Sequence, residues 1–328
     1  MPSMSHGVLT LATSLSMAHM ADAAARTPVK PVSSSRGNAL ARWLIGGPPL
    51  LYLLVFFALP TLIMGFAAFR YPGDYGGLAP MFDDAGQLDL TFESFSAFFS
   101  TPIYFVIFLK SLLYALITTV VCIAMAYPVA LLIARSPKKW RNLLVLLVIL
   151  PFWSNFLIRI YAWMIILGPQ SLFTRGLNSM LDVFGLGPVS LLYSVFAVIV
   201  GLVYVHLPFM VLPLYANLEK HDPALLDAAQ DLGANAWQRF WRVTFPLSLP
   251  GVVAGSALVF IPALGIFAVS DILGGTDGIM IGNVIKQQFL ESRDWPFGSV
   301  LSIMLTVAAL AVAGLAALLA RPRRRAHG

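Results

Sequence analysis

Apolar positions in this chain come in long unbroken runs, and the charged positions are confined to short stretches between them. Six runs reach the roughly 20 residues that a helix needs to cross a hydrocarbon core, near 43–69, 111–134, 142–167, 194–218, 248–270 and 297–320. The pattern predicts an all-α, polytopic membrane protein of about six transmembrane helices. Pro48, Pro128, Pro151, Pro208 and Pro262 fall inside the runs, where neighbouring helices can satisfy freed backbone groups, and kinks are expected there.

Composition removes the soluble alternatives. Hydrophobic residues make up 59% of the chain against roughly 45–50% in soluble domains, and 11% are charged against about 25%. From residue 43 onward the alternation is continuous, so one membrane domain over 43–320 is expected, with a basic tail at 321–328. Residues 1–42 are rich in Ser, Ala and Pro and read as a disordered cytoplasmic tail. Within that tail HGVLTLATSLSMAHMA resembles a secretion signal, but no Lys or Arg precedes it, so it is expected to be retained; Met20 is an alternative start. The single cysteine, Cys122, permits no internal disulfide and no thiolate cluster, and core packing is its expected role.

The net charge of +6 is not spread as a nucleic-acid surface would require. Arg26, Lys30, Arg36, Arg42, Arg135, Lys138, Lys139, Arg141, Lys220, Arg239, Arg242 and Arg321, Arg323, Arg324 and Arg325 fall on one side of the bilayer, against Arg70, Arg175, Lys286 and Arg293 on the other. Lys110 and Arg159 lie at span ends or within spans. The bias puts both termini and the 219–247 loop in the cytoplasm. Asp74, Asp83, Asp84, Asp89 and Glu93 make the first outer loop acidic, which fits either a solvated loop or a cationic substrate and its carrier.

No phosphate-binding G-x-x-x-x-G-K-[ST] motif occurs, so any ATP is expected on a partner. H-E-x-x-H, C-x-x-C and G-x-S-x-G are absent as well, and neither an enzyme site nor a cofactor is expected. His206, alone inside a span, reads as a hydrogen-bonded interior side chain.

The polar stretch 227–251 is the part that looks built for a partner. Asp222 can accept a free backbone N–H and Pro223 at the first helical position forfeits nothing, so a short helix is predicted over 224–231. Gly233 suits the left-handed residue that ends it. Asn235 then caps a second short helix that runs to Arg242 and stops before Pro246. Ala228 and Ala229 form a small-residue face, and Arg239, Phe240, Trp241 and Arg242 offer cationic and apolar contacts. These features alone fit a loop lying on lipid headgroups equally well.

The spacing adds a resemblance. Asp227-Ala228-Ala229, three residues, Gly233, nine residues and Val243-Thr244-Phe245-Pro246 resembles the EAA loop of ATP-binding-cassette (ABC) importer permeases, whose pattern is EAA, x3, G, x9, I-x-L-P. Asp replaces Glu, Val replaces Ile and Phe replaces Leu, with every spacing kept. The resemblance implies a type I ABC importer permease-like fold in which Asp227, Ala228, Ala229, Gly233, Val243 and Pro246 dock an ATPase subunit.

Polar groups inside spans are costly and default to functional candidates. The third run supplies Trp153, Ser154, Asn155, Arg159, Tyr161 and Trp163. As one continuous helix it would put Arg159 about 25 Å above residue 142, level with Asp271 beyond the fifth run. An Arg159–Asp271 pair is expected, or else a carboxylate left facing a cationic ligand. Trp153 and Asn155 lie deepest, whereas Tyr161 and Trp163 fit interfacial anchors equally well.

PFWSNFLIRIYAW, GLVYVHLPFMVLPLYANLEK, PLSLPGVVAGSALVFIPALG, SDILGG and IGNVIKQQFLESRDWPFG resemble the B-type permease of bacterial spermidine/putrescine importers over roughly 43–320. The resemblance implies an inner-membrane subunit that pairs with a C-type permease, a homodimer of ATP-binding subunits and a periplasmic binding protein, with polyamine as substrate. Trp153, Asn155, Arg159, Tyr161 and Asp271, the polar and aromatic residues singled out above, are the substrate-pathway candidates. Ile266 stands where many relatives carry an acidic residue. The alternatives are the same machine for an opine, thiamine or another amine, an ion-coupled secondary transporter, and a membrane enzyme.

Overall fold

The structure is a computed structural model that describes residues 37–82 and 86–320. The tail and signal-like segment over 1–36, Asp83 and Asp84 of the acidic loop, and the basic tail 321–328 lie outside the described residues. The chain divides into two units, Met1–Pro60 and Thr61–Gly328. The first is helical from Gly37: α1 (Gly37–Leu53) runs into a π-helical turn, Leu54–Ala58. The helix therefore reaches back into the segment expected to be disordered, because residues 38–42, Asn-Ala-Leu-Ala-Arg, contain good helix formers.

The second unit begins within α2 (Leu59–Ala67) and continues with α3 (Glu93–Ser100), α4 (Pro102–Arg135), α5 (Lys138–Ile149), α6 (Phe156–Leu167), α7 (Leu172–Val183) and α8 (Val195–Leu218). After these come α9 (Ala224–Asp231), α10 (Ala236–Arg239), α11 (Phe245–Gly265), α12 (Ala268–Leu273), α13 (Ile281–Leu290) and α14 (Trp295–Ala320). Among the described residues six helical stretches are long and apolar enough to cross a membrane, the number expected, although the third is Phe156–Val183 where 142–167 was expected.

Three of the predicted boundaries move. α4 starts at Pro102 rather than near 111, since Lys110 stands exposed on the helix surface without interrupting it. The run 142–167 is two helices, because Ser154 and Asn155 take over backbone groups that Pro151 leaves without a ladder. Ser154 Oγ donates to the Pro151 carbonyl at 2.7 Å, and Asn155 Oδ1 accepts from Leu157 N at 2.8 Å, capping α6. The helix after Asn235 does not stop before Pro246: residues Ala236–Gly265 form one 30-residue helical rod.

α4, α8 and α11 form the centre. On α4 the buried positions Ser111, Ala115, Thr118, Cys122, Ala126, Ala130 and Ile133 recur every three to four residues and are mostly small. With so little side chain on this stripe the helices approach closely, as spans do where lipid supplies no hydrophobic drive between them. Cys122 is fully buried against Val203, as expected of a packing residue. His206 is buried and bonds through Nδ1 to the Leu202 carbonyl at 2.8 Å. α11 meets α8 through glycine: a Cβ at Gly255 would lie 2.6 Å from Met210 Sδ, and one at Gly251 would lie 2.7 Å from Asn217 Cβ.

That contact is testable. Gly255→Val should lower stability by about 1–3 kcal/mol through overpacking, read as a lower thermal midpoint of the detergent-solubilised protein. Gly314→Val, at a glycine with nothing within 4 Å of an added Cβ, should leave the midpoint unchanged. Equal midpoints for the two variants would show that α8 and α11 are not pressed together.

Candidate functional site

The 219–247 segment folds as an elbow whose every turn is held by a local hydrogen bond. Asp222 Oδ1 accepts from Ala224 N at 2.9 Å and starts α9. At its end Gly233 adopts φ +81°, with Ala234 N bonded to the Ala229 carbonyl at 3.0 Å and Gly233 N to the Gln230 carbonyl at 2.8 Å, the pairing of a Schellman turn. An added Cβ at Gly233 would meet nothing within 4 Å, so the need for glycine there is one of backbone angle alone. Asn235 and Gln238 follow with a reciprocal capping box, 2.9 and 3.0 Å. Arg239 Nη1 donates to Gln230 Oε1 at 2.6 Å and ties the two arms together.

The second arm continues into the bundle through a π-helical turn, Phe240–Thr244, in which Phe245 N reaches the Phe240 carbonyl. The widened turn accommodates Pro246, which has no N–H to offer, so the helix passes through it unbroken. Trp237, Phe240, Trp241 and Phe245 stack along this arm, with Phe240–Trp241 centroids 5.1 Å apart and Trp241–Phe245 5.0 Å apart. Tyr127 of α4 joins them: its ring lies 5.2 Å from Phe240 and its hydroxyl 2.8 Å from Ser248 Oγ. Asp227 and Ala228 are exposed, Ala229 and Val243 are half-buried and Pro246 is exposed, so the predicted docking residues occupy one continuous elbow.

Three anchors were not anticipated. Arg141 of α5 pairs with Glu219 at 2.6 Å and also donates to the Ala134 carbonyl at 2.9 Å, clamping the ends of α4 and α8 beside the elbow. His221 Nε2 lies 3.2 Å from the Leu247 carbonyl. A cavity of about 440 Å³ lies beneath, lined by residues that include Arg135, Arg141, Glu219, Pro223, Leu226 and Thr244. The opposite charges of Arg141 and Glu219, on two loops that the charge count assigns to one side, were the available sequence signal.

The polar residues of the third run are divided by the helix break. Trp153, 75% exposed, sits in the turn ahead of α6, Asn155 is its cap and Tyr161 is 51% exposed on its surface. Trp163 packs edge-on against Tyr204, ring centroids 5.6 Å apart. Arg159 stands one turn into α6 with its guanidinium 5.1 Å from the Phe152 ring centre and 6.0 Å from that of Phe156. Its Nε is buried without a hydrogen-bond partner. The expected pair with Asp271 is not formed. α6 and α12 share a buried cluster through Ile160, Leu167, Val269 and Leu273, yet the Asp271 carboxylate is taken by Lys286 Nζ at 2.7 Å and by Asn283 Nδ2. Both partners come from α13, which abuts the end of α11 so closely that a Cβ at Gly282 would lie 2.5 Å from the Gly265 carbonyl oxygen. Hydrogen bonding to Asp271 raises the Lys286 pKa above its usual value and keeps the ammonium charged.

The Tyr215 hydroxyl and then the Arg141 guanidinium hold the Glu219 carboxyl below the usual carboxylate range. A lowered folded pKa means that the stabilisation is present above the unfolded value of about 4.3 and is lost as pH falls through the folded value. The thermal midpoints of wild type and Glu219→Gln should therefore differ by a constant amount near neutrality and converge as the buffer is taken below about pH 4. A difference that persisted into acid would remove the clamp.

A family model described as "binding-protein-dependent transport system inner membrane component" matches residues 126–325. The "spermidine/putrescine transport system permease protein PotB" of Haemophilus influenzae is 48% identical over 220 residues, 66% of this chain and 75% of that protein. The protein of the same name from Escherichia coli K12 is 50% identical over 209 residues, 63% of this chain and 74% of that one. Among solved structures the chain is similar to a bacterial ABC transporter involved in import of the acidic polysaccharide alginate, with TM-score 0.67 and 20% identity over 88% of this chain and 99% of that one. It is also similar to an alginate transporter in complex with an alginate pentasaccharide-bound periplasmic protein, with TM-score 0.66 over 87% and 96% of the two chains. At 20% identity those two likenesses show an ABC permease fold and no more. The chain belongs to the family of inner-membrane components of binding-protein-dependent transport systems, as a multi-pass protein of the inner membrane.

Proposed function

We propose that this chain is one of two permease subunits of an ATP-driven polyamine importer, supplying half of the translocation path and docking an ATPase subunit through its elbow. The observation that carries the coupling role is mechanical: the elbow at Gly233 and the 30-residue rod Ala236–Gly265 are one hydrogen-bonded body. A push on Asp227, Ala228 and Ala229 would be carried through Val243 and Pro246 into the span, tilting it so that a central path changes the side it faces. Alternating access of this kind needs no covalent chemistry. The cargo reading is supported by the relatives at 48% and 50% identity, which carry a spermidine/putrescine transport name. Family membership leaves no support for an ion-coupled transporter.

The partners of this reading are a dimer of ATP-binding subunits on the cytoplasmic side, a C-type permease completing a heterodimer, and a periplasmic binding protein that delivers cargo. Bilayer lipid surrounds the spans, both termini lie in the cytoplasm, and nucleic acid has no role. Residues 43–320 form the transport domain, flanked by the tails. α5 is 12 residues long, about 18 Å, so the break at 150–155 falls near mid-membrane if α5 enters from the inner face. Irregular backbone at that depth is tolerated only where protein covers it or it lines an aqueous path. The exposure of Trp153 and Asn155 supports a path lined by these two, with Arg159, Tyr161 and Asp271 nearer its mouth.

Gly233→Pro tests the coupling. Proline fixes φ near −65° where the elbow holds +81°, so the variant should insert and assemble yet lose at least about tenfold of ATP-driven putrescine uptake while ATP hydrolysis continues. Uptake at the wild-type rate would end the coupling role, and a wild-type complex that carries neither putrescine nor spermidine would end the cargo reading.

A further inference from the structure

Beyond the end of α11 opposite the elbow, the structure gathers a seat for a primary ammonium and fills it with a side chain of its own. Asp271 Oδ2 accepts from Lys286 Nζ at 2.7 Å, and the same ammonium lies 5.7 Å from the centre of the Phe267 ring. Asn283 Nδ2 donates to Asp271 Oδ1 and to the Phe267 carbonyl, fixing both the carboxylate and the backbone that carries the ring. Asn283 is itself fixed, its Oδ1 accepting from Met280 N at 2.9 Å. A carboxylate on one side of an ammonium and an aromatic face on another is the arrangement that recognises alkylammonium ions.

Two features set this cluster apart from a plain strut. The side chains of Lys286 and Asp271 are 29% and 33% exposed, so a dissolved cation can reach them. The occupant also has the right chemistry. A lysine side chain is a primary ammonium on a flexible four-carbon stem, the same group as the aminobutyl end of putrescine and spermidine.

We propose that Asp271, Phe267 and Asn283 form an alkylammonium subsite on the transport path, that Lys286 occupies it when no cargo is present, and that a terminal ammonium of the cargo displaces Lys286 on entry. The inference rests on the polyamine reading of the cargo. At the carboxylate one ammonium replaces another, so it is never left bare and no proton is transferred. Glu291 already acts on the Lys286 ammonium in the structure, so a second carboxylate is at hand when Asp271 is taken. A neutral or anionic solute offers nothing that can replace the ammonium, so the occupant also acts as a filter for cations.

The test measures equilibrium binding of radiolabelled putrescine to the assembled transporter in nanodiscs, without binding protein, and ATP-driven uptake by the complete system. Lys286→Met keeps an unbranched four-atom stem and removes the competing ammonium, so it should bind putrescine about tenfold more tightly than wild type. Asp271→Asn should weaken binding, and adding Lys286→Met to it should bring no gain. The exchanged pair Asp271→Lys with Lys286→Asp restores an ion pair but moves the carboxylate away from the ring, so it should recover thermal stability without recovering binding. Unchanged affinity in Lys286→Met, or binding recovered along with stability in the exchanged pair, would show that the pair is only structural. The exchanged pair still decides the matter if Lys286→Met fails to assemble. Wild-type uptake of putrescine combined with unchanged affinity in Lys286→Met overturns this inference alone, whereas a wild type that neither binds nor carries putrescine or spermidine overturns the cargo reading beneath it.

Discussion

Mechanical continuity from the elbow to the far end of α11 rests on one backbone accommodation, the π-helical turn at Phe240–Thr244. Proline in a helix interior normally removes a hydrogen bond and presses its ring on the preceding turn. Here the ladder widens just ahead of Pro246, and Phe245 N bonds to the Phe240 carbonyl. The arm therefore enters the span without a hinge. Had the helix ended at Arg242, as the proline suggests, a force on the elbow would bend a joint instead of moving a span. The aromatic stack of Trp237, Phe240, Trp241 and Phe245 against Tyr127 stiffens the same place by packing α4 onto the widened turn.

The core follows from what the bilayer withholds. Lipid tails are as apolar as leucine, so spans gain from touching only where they pack more closely than lipid can. Gly251 and Gly255 on α11, and the alanines and Cys122 on α4, remove side chain where the three central helices meet. Hydroxyls on these helices turn inward on their own ladder: Thr119 and Ser256 bond carbonyls four residues back, at 2.7 Å each. Thr118 Oγ1 on α4 and Asn217 Oδ1 on α8 stay buried without a partner, and so does Arg159 Nε on α6, whose guanidinium stands over two rings. A cation left so in an apolar helix belongs beside water or a second subunit.

How much of this could be read from the sequence depends on the range of the interaction. The elbow was legible because each of its stops acts within a few residues: Asp222 on Ala224, Gly233 on the turn behind it, Asn235 on Gln238. The spans were legible as runs, and their boundaries only in part. Lys110 looked like an interruption and is an exposed residue on a continuous helix, while Pro151 looked like a kink and, with Ser154 and Asn155, is a break. Asp271 was identified, and its partner was not. Depth counted along an assumed straight helix selected Arg159, whereas the glycine contact between Gly282 and Gly265 folds α13 back and delivers Lys286. Nothing in the local sequence of α13 announces that fold-back, because the contact joins residues 17 positions apart through backbone approach alone.

That same contact separates two jobs that a transporter has to keep apart. The rod Ala236–Gly265 is 30 residues long, about 45 Å, so even a small tilt at the elbow moves its far end by several ångströms. A tilt of that size would break a 2.7 Å ion pair if the partners stood on bodies that part. Asp271 follows directly on the rod, and Lys286 stands on a helix whose start is wedged against the rod's last carbonyl, so the two travel together. If the elbow drives the span as proposed, its motion changes what the pair faces without opening it. On the exchange proposed above, opening is left to a competing cation: the carboxylate stays occupied while the elbow moves, and its occupant changes when an ammonium arrives.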